Sequence, residues 1–239
     1  MEYKTVLIMN IVNEGLAKIK ANKVDIVSKE MGVFYNPIMA FNRDISIILL
    51  NSIENKKMQI CDPLAATGIR SIRFLKELSK DKIENISIND KEKSAIKLIK
   101  ENFGLNKIKP SKDIMIKNQD ANIFILNSSG FDYIDIDPFG SPNQFLDSSI
   151  RRISRNGILA ITATDTGALC GSFANSCKRK YWAMPKNDSI AHETGLRILA
   201  RKVQLIGAQF EKSLVPVFSY SKEHYMRIFF MVERMLNYR

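Results

Sequence analysis

The 239-residue chain is poor in the residues that build metal, thiol and membrane chemistry. Three cysteines, Cys61, Cys170 and Cys177, are too few for a disulfide framework or a four-thiolate zinc site. Their scarcity points to a reducing, cytoplasmic compartment. Only two histidines are present, and His192-Glu193 opens like a helical zinc-protease motif but has Leu196 where the second His must stand. No metal is therefore expected. No apolar run nears the ~20 residues of a membrane span, since Ile228–Val232, among the longest, has five. The opening MEYKTVLIMN lacks a basic stretch followed by a long apolar one, so neither a secretory signal nor a membrane partner is expected. Acids are also in deficit: 25 Asp and Glu against 36 Lys and Arg leave a formal charge of +11, which favours a polyanionic partner. What is there is ordinary globular material, 45% hydrophobic and 26% charged, which excludes wholesale disorder.

Beyond about residue 56, short apolar runs alternate with helical patterns. Strands are predicted at Met58–Cys61, ending at Asp62, then at Ile86–Ile88, Ile114–Lys117, Phe131–Ile136 and Gly157–Thr162. Between them, Gly68–Ser79 places Ile69, Ile72, Leu75 and Leu78 at helical spacing. Lys91–Phe103 gathers Ala95, Leu98, Ile99 and Phe103 on one face, with Gly104 as its stop. Ser141-Pro142-Asn143-Gln144 reads as a capping box with Pro in the first helical turn. A long helix over Ser189–Ile206 precedes two closing strands, Ser213–Tyr220 and Tyr225–Glu233.

Repeated strand–helix units predict a parallel sheet with helices on both faces. The last two strands are joined by so short a turn that they must pair antiparallel. An α/β fold with a mostly parallel seven-stranded sheet ending in an antiparallel hairpin resembles the Rossmann-like class I methyltransferase fold. Two segments follow: residues 56–239 as the catalytic domain, and residues 1–55 as an added piece able to cover the cofactor and substrate.

Ligands of open α/β sheets bind beyond the carboxyl ends of the strands. Acids recur there, at Asp62, Asp90, Asp120, Asp137 and Asp165. One such acid is more often a turn or cap residue than a ligand; five in successive units are harder to dismiss. The first loop, Asp62-Pro63-Leu64-Ala65-Ala66-Thr67-Gly68-Ile69-Arg70, is built of small residues that let a ligand approach the backbone. It has neither the G-x-G-x-x-G nor the G-x-x-x-x-G-K-[ST] spacing, which disfavours NAD and nucleoside triphosphates. Asp90 can accept from both ribose hydroxyls, and Asp120-Ala121 can meet the exocyclic amine of adenine. The ordered set describes an adenosine without phosphates and suggests S-adenosylmethionine.

The fourth strand runs into Asp135-Ile136-Asp137-Pro138-Phe139-Gly140. This is similar to the D/N-P-P-Y/F signature of amino-group methyltransferases with one Pro missing. An exocyclic base amine is a poor nucleophile, because its lone pair is delocalised into the ring. Asp137 and the Pro138 carbonyl could accept its two N–H bonds and draw the nitrogen toward tetrahedral geometry, while Phe139 stacks on the base. Asp137 could also take the proton late. The plain alternative is a strand–turn–helix punctuated by Pro and Gly.

The chain resembles the tRNA guanine-26 N2-dimethyltransferases of archaea and eukaryotes. The likeness is carried by Phe34-Tyr35-Asn36-Pro37-Ile38-Met39-Ala40-Phe41-Asn42-Arg43-Asp44, Ala66-Thr67-Gly68-Ile69-Arg70, and Asp135 to Pro142. Further on it rests on Thr162-Ala163-Thr164-Asp165-Thr166, Leu169-Cys170-Gly171, Arg179-Lys180-Tyr181, His192 to Leu199, and Tyr220 to Arg227, in order from about Asn13 to Glu233. The resemblance implies methyl transfer from S-adenosylmethionine to the guanine amine at tRNA position 26, once or twice. It implies that Arg43 and Arg70 reach the cofactor whose loop Asp62 opens, that Asp90 holds the ribose, and that Asp120 with Ala121 meets the adenine. Asp137 is the catalytic position, and Phe34 and Phe139 sandwich the guanine. Members of the family usually continue into a C-terminal domain that grips tRNA, which this chain is expected to lack. The alternatives are an amino methyltransferase acting on another base or on glutamine, and a tRNA-binding fragment that needs a partner domain.

Lys178-Arg179-Lys180-Tyr181-Trp182 sets charge beside aromatics. It reads either as a phosphate clamp with a stacking platform or as a solvated loop whose rings pack on the domain. Arg151, Arg152 and Arg155 read as one solvated helix end, and Arg197, Arg201 and Lys202 as a solvated helix face.

Overall fold

In a computed structural model, which describes residues 9–22, 33 and 35–234, strands β1 (Met9–Glu14) and β2 (Ala17–Asn22) open the described chain. A 3-10 turn at Pro37–Met39 and helix α1 (Ala40–Ser52) follow, and then strand β3 (Met58–Asp62) and helix α2 (Ile69–Glu77). Next come β4 (Ile83–Asn89), α3 (Lys93–Leu105), β5 (Ile114–Lys117), α4 (Ala121–Leu126), β6 (Phe131–Ile136), α5 (Asn143–Arg152) and β7 (Ile153–Ala163). Helices α6 (Thr166–Leu169), α7 (Ala174–Tyr181) and α8 (Ala191–Ala208) lead into β8 (Lys212–Lys222) and β9 (Tyr225–Arg234). Seven strands form one sheet in the order β5-β4-β3-β6-β7-β9-β8. The pairs β4/β5, β3/β6 and β6/β7 are parallel, while β9 pairs antiparallel with both β7 and β8. This is the predicted sheet with its predicted closing hairpin. Among the described residues no helix is long and apolar enough to cross a membrane.

The chain divides into two compact units. One holds the described residues up to Lys57 together with Leu64–Asp120; the other holds Met58–Pro63 and the chain from Ala121 onward. In the first, the hairpin β1/β2 turns at Gly15 and Leu16, where Gly15 takes φ +55, and buries Ala17, Ile19 and Ala21 with Lys18 and Lys20 outward. That alternation is the period of a half-buried strand. Its edge is not left bare: Lys20 N–H donates to Asn102 Oδ1 at 2.8 Å, and Lys18 N–H to Asn106 Oδ1 at 2.9 Å, both on or beside α3. Beneath it lies a buried charge cluster. Glu14 accepts from Arg43 Nε at 2.6 Å, from Arg73 Nη1 at 3.0 Å and from the Tyr35 hydroxyl at 3.0 Å. Burial pushes the Glu14 carboxyl up, but Arg43, Arg73 and Tyr35 outweigh it and hold the group below its usual value. Burial and the Glu14 charge push the Tyr35 phenol up to about 12.

In the second unit, β6, β7 and β9 enclose another buried pair. Arg227, 0% exposed, places Nη2 2.6 Å and Nη1 3.0 Å from the two Asp135 oxygens, and Nη1 also donates to Thr162 Oγ1 at 2.7 Å. The Tyr133 hydroxyl donates to Asp135 Oδ2 at 2.6 Å. Three strands are thereby tied at the end from which the β6 loop departs.

Several local expectations are corrected. Gly104 does not stop α3; the helix runs through it to Leu105 and closes on Asn106. Lys107 takes the left-handed position (φ 57), its N–H reaching Gly104 O while Ile108 N–H reaches Phe103 O, a Schellman closure three residues later than predicted. The capping box at Ser141 does not form, because Pro142 is already in the helical region and takes the N-cap place; Ser141 Oγ accepts only a long bond from Asn143 N–H, 3.4 Å. Arg155 lies in β7 rather than on a helix, since the strand begins at Ile153. Lys202 is 5% exposed rather than solvated, its stem buried on α8.

Candidate active site

In the first unit, the loop after β3 is fastened by its own backbone and by the end of β4. Ala65 N–H donates to Asn89 O, and Gly68 N–H to Ala65 O. Ala66 N–H donates to Asp90 Oδ2 at 2.9 Å. The bend needs left-handed backbone at Ala66 (φ 47) and Gly68 (φ 78), which glycine adopts at little cost. These three amides are used within the protein, so they are not a cradle for pyrophosphate. Asp90 also receives Glu92 N–H on Oδ1 at 2.9 Å. A carboxylate has about four acceptor directions, so an acceptor face remains for neutral hydroxyl donors. Burial raises the Asp90 carboxyl despite the lowering by these backbone bonds. Such an arrangement suits an uncharged adenosine better than a nucleotide phosphate.

The other residues of this unit that were expected at the cofactor are placed by polar neighbours that sequence reading missed. Arg70, 6% exposed, donates to Ser46 Oγ at 3.3 Å and Asn42 Oδ1 at 3.0 Å, both from α1. Arg43 is buried with its Nε and Nη2 on Glu14, and Nη2 also reaches Asn36 O at 3.1 Å. Buried Asn89 exchanges two bonds with Gln119, fixing the backbone one residue before exposed Asp120. Asn118 Nδ2 holds the carbonyls of Asp90 and Lys91, at 2.8 Å each.

In the second unit, Asp62 is 3% exposed at the end of β3, and Ala121 is buried at the start of α4. The β6 strand ends and delivers half-buried Asp137, buried Pro138 and Phe139, 44% exposed. Gly140 turns the chain with φ +79. Its N–H donates to Thr164 Oγ1 at 2.6 Å, and Thr164 N–H returns a bond to Gly140 O at 3.0 Å. This reciprocal clamp holds Asp137–Phe139 against the end of β7. The Asp135–Arg227 pair holds the same strand from below; burial opposes the Arg227 charge, but Asp135 keeps the guanidinium firmly protonated.

The basic-aromatic stretch splits. Arg179 is exposed. Lys180 Nζ sits 3.0 Å from Asp165 Oδ2, and its carbonyl accepts from Asn143 Nδ2 at 2.7 Å. Tyr181 is 0% exposed and donates its hydroxyl to Asp165 Oδ1 at 2.6 Å. Its ring has no face to offer a base, which corrects its reading as a stacking residue. Asp165 therefore serves as an anchor for α7. Burial and Asp165 push the Tyr181 phenol well above its usual range. Phe34, expected beside the guanine, lies outside the described residues. The thiols of Cys61 and Cys177 are buried and pushed up by that burial, so neither is a ready nucleophile.

Comparison with known proteins shows the family and the fold. A family model described as N2,N2-dimethylguanosine tRNA methyltransferase matches residues 15–237. A tRNA (guanine(26)-N(2)/guanine(27)-N(2))-dimethyltransferase from Aquifex aeolicus is 43% identical over 232 residues, covering 95% of this chain and 58% of that protein. A tRNA (guanine(26)-N(2))-dimethyltransferase from Methanobrevibacter smithii is 43% identical over 237 residues, covering 98% of this chain and 59% of that protein. The chain thus spans less than two thirds of the length of these relatives. A solved complex of Trm1 from Pyrococcus horikoshii with S-adenosyl-L-methionine superposes with a TM-score of 0.84 at 38% identity, over 95% of this chain and 62% of that one. Trm5b from Pyrococcus abyssi, 16% identical with a TM-score of 0.66 over 96% of this chain and 57% of that one, shares the fold.

Proposed function

The chain belongs to the N2,N2-dimethylguanosine tRNA methyltransferase family, and from that membership we propose that it transfers methyl groups to the N2 amine of guanine 26 in tRNA. The single observation that carries the reading is the clamped Asp137-Pro138-Phe139 turn at the end of β6. S-adenosylmethionine, when bound, supplies a methyl group made electrophilic by its sulfonium. Arg43, Asp62, Arg70, Asp90, Asp120 and Ala121 are the residues that hold it, with Asp90 accepting from the ribose and Asp120-Ala121 meeting the adenine. Of the residues before position 56, helix α1 meets the start of α2 beyond the β3 loop, its Asn42 and Ser46 holding Arg70, so this piece packs with the first unit of the fold rather than standing as a separate domain.

On the guanine, Asp137 and the Pro138 carbonyl accept the two N2–H bonds. That removes delocalisation and aims the nitrogen lone pair outward, a positioning effect of the kind worth several orders of magnitude in rate. Asp137 then receives the proton that the methylated nitrogen sheds. The half-exposed Phe139 ring stacks on the base, Phe34 being the second stacking residue that the family resemblance implies, and exposed Arg179 with Lys180 binds backbone phosphates. The reaction takes place in the cytoplasm, consistent with three free cysteines.

The test is incubation with labelled S-adenosylmethionine and unmodified tRNA, followed by mass spectrometry of the nucleosides. N2-methylguanosine and N2,N2-dimethylguanosine at position 26 are expected. Label on adenine, on protein or nowhere overturns the reading. The name of the Aquifex relative includes guanine 27, so the same digest, mapped by fragment, reads whether the neighbouring guanine is also a substrate.

A further inference from the structure

Trp182 is the only tryptophan of the chain, and it sits in an unusual place. It closes α7 with φ 56 and ψ 36, a left-handed conformation disfavoured for a bulky side chain. Its N–H caps Lys178 O at 3.1 Å. Burial does not account for this strained position, because the residue is 52% exposed. Lys202 Nζ lies 2.9 Å from the indole centroid and is itself on a residue only 5% exposed. The cation attracts one face of the ring, and the residue keeps half of its surface exposed. The surrounding segment Lys178–Lys186 holds four cations and no acid. Of these, Lys178, Arg179 and Lys186 are exposed, and Met184 beside them is 65% exposed. A left-handed residue often closes a helix, as at Lys107, and what sets Trp182 apart is a bulky, half-exposed aromatic in that place.

We infer that Trp182, pinned by Lys202, is the stacking platform for an unpaired base of the RNA substrate, with Lys178, Arg179 and Lys186 meeting its phosphates. The inference rests on the tRNA reading above and adds a site to it. A pinned ring loses little freedom on binding and presents a face that any base can use. Lys180 is paired with Asp165, but Lys178, Arg179 and Lys186 remain exposed beside the ring and favour a polyanion over a neutral partner.

The test uses the full chain and unmodified tRNA, without cofactor. Indole emission reports the site directly, with a Trp182→Phe variant as the blank, while polarisation of end-labelled tRNA measures binding independently. Stacking quenches the emission in step with binding. Trp182→Ala weakens binding by about ten-fold, within the range for one stacked base, while Trp182→Phe keeps much of the affinity. Circular dichroism melts of both variants verify the fold; should the Ala variant not fold, the wild-type quench and the Phe variant still decide. Binding without quenching, or an Ala variant that binds as tightly as the wild type, overturns the platform and leaves the tRNA reading standing. No binding even at low salt overturns both.

Discussion

Replacing Arg227 by Met strands a carboxylate. Asp135 and Arg227 are essentially sealed from water, at 1% and 0% exposure, and bonded through both carboxylate oxygens. Removing one partner of such a pair leaves an uncompensated buried charge, at a cost of about 3–5 kcal/mol. Tyr133 remains but donates only a neutral hydroxyl, and Thr162 Oγ1 loses the guanidinium it accepted from. Each kcal/mol moves the midpoint of a chain this size by about 2–4 °C, so the thermal midpoint should fall by about 6–20 °C. Guanidinium titration should show the same loss. Removing the charge on both sides, as in Asp135→Asn with Arg227→Met, should recover part of it, because the desolvated carboxylate is gone. Turnover should fall further than stability predicts, since Asp135 lies on β6 two residues before Asp137, which follows the end of that strand. A single variant that loses under about 1 kcal/mol, or a double variant no better than the single, would refute the idea that this pair is a desolvated clamp.

Asp90→Ala should abolish S-adenosylmethionine binding by calorimetry, because it removes the ribose acceptor and frees Ala66 N–H; an unchanged affinity sinks the cofactor assignment. Asp137→Ala should eliminate methyl transfer to tRNA while cofactor still binds, and near-wild-type turnover would exclude its role as acceptor of the amine protons. Glu14 is held below its usual 4.5 by its arginines. Its contribution to stability is complete above that value and fades as pH falls through the lower folded value. Glu14→Gln should therefore be less stable at neutral pH and show a flatter acid limb in chemical denaturation; parallel acid limbs would contradict the linkage.

The parallel strands were legible because each holds apolar residues and has an acid at the strand's end or within three positions beyond it, a local pattern that survives any tertiary context. The hairpin β1/β2 was missed although Ala17-Lys18-Ile19-Lys20-Ala21 alternates, because small residues carry a weak apolar signal until α3 is seen to receive them. Gly104 misled for a related reason. A glycine announces a possible helix stop, but Asn106, bonding back to Asn102, supplied the stop instead.

Side-chain roles divided the same way. Asp137, Pro138 and Phe139 could be picked out from their order alone, because the chemistry needs adjacent residues. Thr164, Asn42, Ser46 and Arg227 could not, since each acts on a partner 24 or more residues away. Tyr181 and Trp182 are neighbours in the chain with equal claims to stack on RNA. Only packing separated them, burying one on Asp165 and leaving the other over Lys202.

By itself, then, the sequence determined the strands of the main sheet with the helices α2, α3, α5 and α8, the antiparallel finish and the acids at the strand ends, all of which follow from local period and turn chemistry. The tertiary structure decided which polar groups are spent on the scaffold and which face solvent. Burial and long-range hydrogen bonding depend on what the rest of the chain brings to each side chain, and no local pattern encodes that.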